Sequence, residues 1–262
     1  MKVSEGILAN KRIVLTRAIH QNESFINLLK DHKAIPIIFP TIEIHPIEDM
    51  SFLDEAIQKI QDYNYILFTS SNAVEIFFDR WKHLGKSFPD FHQTKIIAVG
   101  KSTAHLLKES GAENVLFPAK YLANEIPSIL QDINHSKILI PQSDLAKQDL
   151  INNLKELGAN VDAITIYRNT IPTNIDASVL NQPIDFITFT SPSTSAGWIH
   201  LIKKYNIDLF PGFTYICIGS ETNKRAIETG ITDAIVAQEH SIEGMLKAMI
   251  NYEQLKQKVI QY

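Results

Sequence analysis

Apolar residues come in short continuous runs, and each run is followed by a stretch with helical spacing. The runs KRIVLT at 11–16, YILF at 65–68, KIIAV at 95–99, VLF at 115–117 and KILI at 137–140 read as buried strands. Behind them, Phe25, Leu28 and Leu29 recur at helical spacing, as do Ala73, Val74, Phe77, Phe78 and Trp81, and Leu150, Leu154 and Leu157. A further helix is expected at 102–109. Residues 35–44 read as one long extended stretch, interrupted by Pro36 and Pro40. Uninterrupted apolar strands alternating with helices predict parallel sheets covered on both faces, an α/β fold.

The pattern occurs twice. FTSS at 68–71 returns as FTSP at 189–192, 121 residues later. VGKSTAHLLKESG returns as IGSETNKRAIETG, so that Gly100, Thr103 and Gly111 match Gly219, Thr222 and Gly230 at a spacing of 119. KRIVLTR with FINLLKDHKA matches KILIPQS with LINNLKELGA at a spacing of 125, which pairs Leu15 with Ile140 and Ala34 with Ala159. The order of the pieces predicts two similar parallel-sheet α/β domains. One is discontinuous, 1–36 plus 172–262, and the other spans 46–162. A two-stranded linker, 37–45 and 163–171, joins them and leaves an interdomain cleft, a favoured place for a ligand.

Composition narrows the function. The chain has 262 residues, 45% apolar and 21% charged, enough to bury a core without staples. A net charge of −4 gives no global attraction to nucleic acid, so a polyanionic ligand must be met by local positive groups. Cys217, the only cysteine, lies in the run YICI and reads as a small buried hydrophobe; no intrachain disulfide is possible. The apolar runs are too short for a membrane span, and the amino terminus carries no segment of signal-peptide type. A cytoplasmic, monomeric protein is expected, with a polar tail at 251–262 extending the last helix.

Every repeated motif falls where a strand hands over to a helix, which is where parallel α/β sheets bind ligands. Thr69, Ser70 and Ser71 follow one strand. Ser191 is placed to cap a helix whose first residue is Pro192, with Ser193 beside it. Gly100, Lys101, Ser102 and Thr103, and Gly219, Ser220 and Thr222, form another pair of turns, and the stretch 141–144 with Ser143 reads as a fifth. Helix starts offer unpaired amides and a positive dipole end, suited to carboxylates or phosphates, although serine and threonine here serve equally as plain caps. Arg17 ends the first strand where the other copy has Gln142, and arginine suits carboxylates. Tyr167 stands where the other copy has Ile42; a phenol there can donate a proton or simply pack.

Familiar motifs fail. GKST lacks the P-loop's earlier glycine, which would fall at Lys95. None of the ten glycines forms G-x-G, the nine histidines show no ligand spacing, and no G-x-S-x-G elbow occurs, so nucleotide, metal and serine-hydrolase chemistries are disfavoured.

Taken together, Leu-Thr-Arg at 15–17, FTSSNAV at 68–74, AVG at 98–100 with Thr103, YRNT at 167–170, FTSPS at 189–193 and IGSET at 218–222 resemble the uroporphyrinogen-III synthase family over nearly the whole chain. Two departures stand out: Ala18 replaces the usual proline, and Glu221 adds a negative charge to a turn that is often Gly-Pro-Thr-Thr. The resemblance implies a small-molecule substrate, the linear tetrapyrrole hydroxymethylbilane with eight carboxylates, closed with inversion of its last ring and loss of water. It implies no metal or organic cofactor, no nucleic acid or membrane partner, and Tyr167 as the acid for the departing hydroxyl. Arg17, Thr69, Ser70, Ser71, Gly100, Lys101, Ser102, Thr103, Ser143, Ser191, Ser193, Gly219, Ser220 and Thr222 are the expected substrate contacts. A two-domain cytoplasmic anion-binding protein without catalysis is the alternative, and a nucleotide-using transferase is a third.

Overall fold

A computed structural model describes residues 6–86, 91, 93–112, 114–118, 125–130 and 132–260. The first five residues and the last two residues of the tail, both within stretches read above, therefore lie outside the described residues. The chain divides into two compact units, Met1–Glu43 with Thr170–Tyr262, and Ile44–Asn169.

The first unit is built on β1 (Arg12–Leu15), β2 (Ile35–Ile38), β9 (Phe186–Phe189), β10 (Thr214–Cys217) and β11 (Ile235–Val236), in the order β11-β10-β9-β1-β2, all parallel. The second is built on β3 (Glu43–Pro46), β4 (Tyr65–Phe68), β5 (Lys95–Ala98), β6 (Val115–Leu116), β7 (Lys137–Ser143) and β8 (Asn160–Thr170), in the order β3-β8-β7-β4-β5-β6. Apart from the added edge strand β3, the two orders are the same. In each, the chain winds outward in both directions from a central pair, β1 with β9 or β7 with β4. That pair is the topological switch point, where such sheets leave a crevice beyond their carboxyl ends.

Alternation along the strands assigns the cores. In β4, Ile66 and Phe68 pack with α3 (Ser71–His83) and α4 (Lys101–Glu109), while Tyr65 and Leu67 face α6 (Asp149–Glu156). In the first unit, Ile13, Leu15, Phe186 and Ile216 meet α1 (Glu23–Asp31) and α9 (Ile242–Ile260). Val14, Ile187, Phe189 and Cys217 meet α7 (Pro192–Lys204) and α8 (Ser220–Glu228). Trp81 and Trp198 are fully or almost fully buried, and burial of each such side chain is worth roughly 1.5–3 kcal/mol. Cys217 is buried too, and burial pushes its thiol up to about 11, so it behaves as a hydrophobe.

Helix ends repeat as faithfully as the strands. The amides of Ala34, Ala159, Ala112 and Ile231 donate to Leu29, Leu154, Leu107 and Ala226, closing α1, α6, α4 and α8 in one way. This closure needs a left-handed residue just before the donor. Gly158, Gly111 and Gly230 supply it with φ of 89°, 101° and 103°, whereas α1 uses Lys33 at 59°.

Two sequence expectations change. The extended stretch 35–44 splits at Pro40 into β2 and β3, in different sheets, while 163–170 is one continuous part of β8. The stretch 141–144 does not start a helix. β7 runs through Ser143, and α6 begins only at Asp149, after Gln148. Pro141 is tolerated inside a central strand because β4 pairs with β7 only at Ile138 and Leu139, leaving that side of Pro141 without a ladder.

Candidate active site

Four helix starts behave as the repeat implies. Ser70 caps α3, its Oγ accepting from Ala73 N at 3.2 Å, and Ser191 caps α7, its Oγ accepting from Thr194 N at 3.3 Å. Gly100 and Gly219 are the caps of α4 and α8 and offer no capping side chain to their helices' first turns. The imidazole of His240 lies against Gly219, where a β-carbon would come within 2.6 Å of it.

Exposure sorts the candidates. Thr69, Lys101, Ser102 and Ser220 are exposed; Arg17, Ser70, Ser71, Gly100, Ser143, Ser191 and Ser193 are half-buried. Thr103, Thr222 and Gly219 are buried, so the two threonines face their own unit's interior rather than solvent. In the first unit, Arg17 and Ser191 follow β1 and β9, the paired strands of its switch point. Asn22, fully buried, holds the loop after β1 by donating from Nδ2 to the carbonyls of Arg17 and Ala18, at 3.3 and 3.2 Å.

The second unit brings three separate sequence candidates together. Ser70 follows β4, Ser143 ends β7, and Tyr167 lies on β8. The Tyr167 Oη sits 2.9 Å from Ser70 Oγ, and the side chains of Ser143, its partner across the β7–β8 ladder, and of Asn72 lie near enough to ease loss of the phenol's proton. A bulge makes this possible. Gln142 opposes Thr165, but Ser143 opposes Tyr167, leaving Ile166 as an extra residue on β8. Ile166 and Tyr167, though adjacent, therefore pack into the same core cluster. Beyond the bulge, Asp144 N donates to the Tyr167 carbonyl at 3.1 Å and Asp144 Oδ1 accepts from Asn169 N at 3.2 Å, clamping the strand ends.

Tyr167 is 5% exposed. Burial raises its phenol above the ordinary tyrosine value, and the side chains of Ser70, Ser143 and Asn72 partly offset that rise. The group keeps its proton at neutral pH and can give it away. Asn72 was not singled out from the sequence; its signal was a polar side chain two residues after the Ser70 cap. A groove of about 880 Å³ also runs along β8, lined by Phe52, Lys59, Tyr63, Lys137 and Asp162. Lys59 pairs there with Glu55 at 2.7 Å and Lys137 with Asp162 at 3.7 Å, and none of the expected site residues lines it.

Comparison with known proteins follows the same lines. The family model described as uroporphyrinogen-III synthase HemD matches residues 23–247. A porphyrin biosynthesis protein HemD from Ruminiclostridium josui is 29% identical over 93% of this chain, which spans only 49% of that longer relative. A uroporphyrinogen-III synthase from Synechococcus elongatus is 28% identical over 94% of this chain and 97% of its own length. Among solved structures, a mutant uroporphyrinogen III synthase from Thermus thermophilus has the same fold at a TM-score of 0.61 and 16% identity, covering 95% of this chain and 99% of that one. The Helicobacter pylori enzyme gives 0.58 and 20% identity, covering 93% and 99%. With the family model spanning most of its length, this chain belongs to the uroporphyrinogen-III synthase family of tetrapyrrole biosynthesis.

Proposed function

We propose that the chain is a hydro-lyase that closes hydroxymethylbilane to uroporphyrinogen III, inverting the last pyrrole ring and releasing water. The observation that carries the reading is the protonated Tyr167 phenol, held by Ser70 at the switch point of the second sheet. The proton passes from Oη to the departing hydroxyl, and the carbon–oxygen bond breaks with its electron pair on that oxygen, giving water and an azafulvene-like cation. Attack through a spiro intermediate, fragmentation and reclosure then end with loss of a ring proton, which balances the one the phenol gave.

The substrate's carboxylates are met by helix starts rather than by net charge: Thr69 and Ser71 at α3, Gly100, Lys101 and Ser102 at α4, Ser191 and Ser193 at α7, and Gly219 and Ser220 at α8, with Arg17 as a forked cation. Thr103 and Thr222 support the first turns of α4 and α8 from inside. Holding the last ring inverted does much of the work, because closure without inversion occurs unaided.

Two measurements test this. With hydroxymethylbilane generated in place and the products oxidised and resolved, the type III isomer should dominate; type I alone overturns the reading. Tyr167→Phe should lower kcat about ten- to a hundredfold, at the modest end of general acid catalysis, and leave KM near its original value. A wild-type rate in that variant removes Tyr167 from the mechanism.

A further inference from the structure

Ser70, Ser143 and Asn72 gather around one phenol: Ser70 Oγ is 2.9 Å from its oxygen, Ser143 is the ladder partner of Tyr167, and Asn72 lies in the first turn of the helix that Ser70 caps. Ser70 Oγ already accepts from Ala73 N at 3.2 Å, and Ser143 Oγ from Leu145 N at 3.1 Å. A hydroxyl has one hydrogen to give. With a backbone amide on the acceptor side of each serine, that hydrogen is the part left to face the phenol. Asn72 adds an amide group that can donate as well. A phenol oxygen accepts at most two hydrogens while it keeps its own and can accept three once that proton has left, so these groups suit the charged form best.

The pseudo-repeat supports this. In the first unit the matching positions are Ile42 for Tyr167, Ala18 for Ser143, Ser193 for Asn72 and Thr194 for Ala73. There the capping serine is occupied: Ser191 Oγ pairs with Ser193 Oγ at 2.9 Å and accepts from Thr194 N, while Thr194 Oγ1 accepts from Ser191 N at 3.2 Å. In the second unit Ala73 has no hydroxyl for a reciprocal bond. The two units therefore differ in what the capping hydroxyl faces, Ser193 in the first and the Tyr167 phenol in the second.

We infer that Ser143 and Asn72, together with Ser70, are positioning residues that hold the negative charge on Tyr167 Oη once its proton has left, while aiming that proton at the substrate. The inference rests on the proposed role of Tyr167. Donors aimed at an oxygen where charge develops stabilise the transition state more than the ground state, so their loss falls on kcat.

Ser143 is the residue to test, since unlike Ser70 it caps no helix. Four forms of the full chain are compared with hydroxymethylbilane as substrate: wild type, Ser143→Ala, Tyr167→Phe, and the two substitutions combined. Ser143→Ala should lower kcat about five- to tenfold, within the range for one ordinary hydrogen bond, with KM and Tm unchanged. In the Tyr167→Phe background it should have no further effect, and Ser143→Thr should restore the rate. Multiplicative losses in the double variant, or a neutral Ser143→Ala beside a slow Tyr167→Phe, overturn the inference alone. A fast Tyr167→Phe overturns the role of Tyr167 and the inference with it.

Discussion

The two units share a strand order, the lengths of α3 with α7 and of α4 with α8, and their helix closures, yet they finish the corner beyond the switch point in opposite ways. In the first unit that corner is packed shut. Thr41 Oγ1 shares its one hydrogen between the carbonyls of Thr16 and Thr194, at 3.1 and 2.9 Å, and Thr16 and Thr188 are wholly buried and bonded to β9 and β1. Gly197 lets α7 lie directly on Thr41; a β-carbon there would sit 2.2 Å from its carbonyl oxygen. Even the bulge is present, since Thr41 N bonds to Thr16 O where an unshifted register would reach Arg17. In the second unit a bulge slightly further along delivers a phenol instead of a plug. A duplicated frame can thus keep one copy as a scaffold and let the other diverge at a few positions into chemistry.

Substitutions can break or sharpen this contrast. The largest effect on stability is expected for Gly197→Ala, which forces a methyl onto the Thr41 backbone. It should cost about 3 kcal/mol and lower Tm by about 6–10 °C in thermal unfolding, with the activity of the folded fraction kept. An unchanged Tm would mean that the corner of the first unit is looser than its hydrogen bonds imply.

Smaller and more telling is the pair Ser70→Ala and Ser191→Ala. Both remove a helix cap and should cost about 1 kcal/mol each. Steady-state kinetics should separate them, with Ser70→Ala lowering kcat through Tyr167 and Ser191→Ala raising KM through a carboxylate contact. The same kinetic signature in both would erase the functional distinction between the units.

The smallest effect is a gain. Lys33 holds the left-handed position that Gly158 holds in the second unit. Lys33→Gly should relieve that backbone cost and raise stability by no more than about 1 kcal/mol, seen as a Tm about 2–4 °C higher. A lower Tm would show that the glycine's added freedom in the unfolded chain outweighs the relief.

Much of the fold was legible in the sequence because its signals are local. Continuous apolar runs such as YILF and the helical recurrence from Ala73 to Trp81 report burial directly, and FTSS with FTSP announces a strand that ends in a cap. The stretch 141–144 misled because Pro-Gln-Ser-Asp is also good turn chemistry. What kept it in a strand was the pairing of β7 with β8, contacts made by residues more than twenty positions away. Gly197 could have been noticed as a glycine inside a helical pattern, but nothing nearby says which backbone it admits.

By itself, the sequence determined that the chain is α/β, that its unit is duplicated, that helix starts line the ends of its strands, and that Tyr167 stands where the copies differ. These are matters of periodicity and position, which a linear chain records. Only the tertiary structure decided that Ser70, Asn72 and Ser143 gather around the Tyr167 phenol. That meeting depends on strand order and on a single extra residue in β8, and a register shift leaves no mark in the sequence of either strand taken alone.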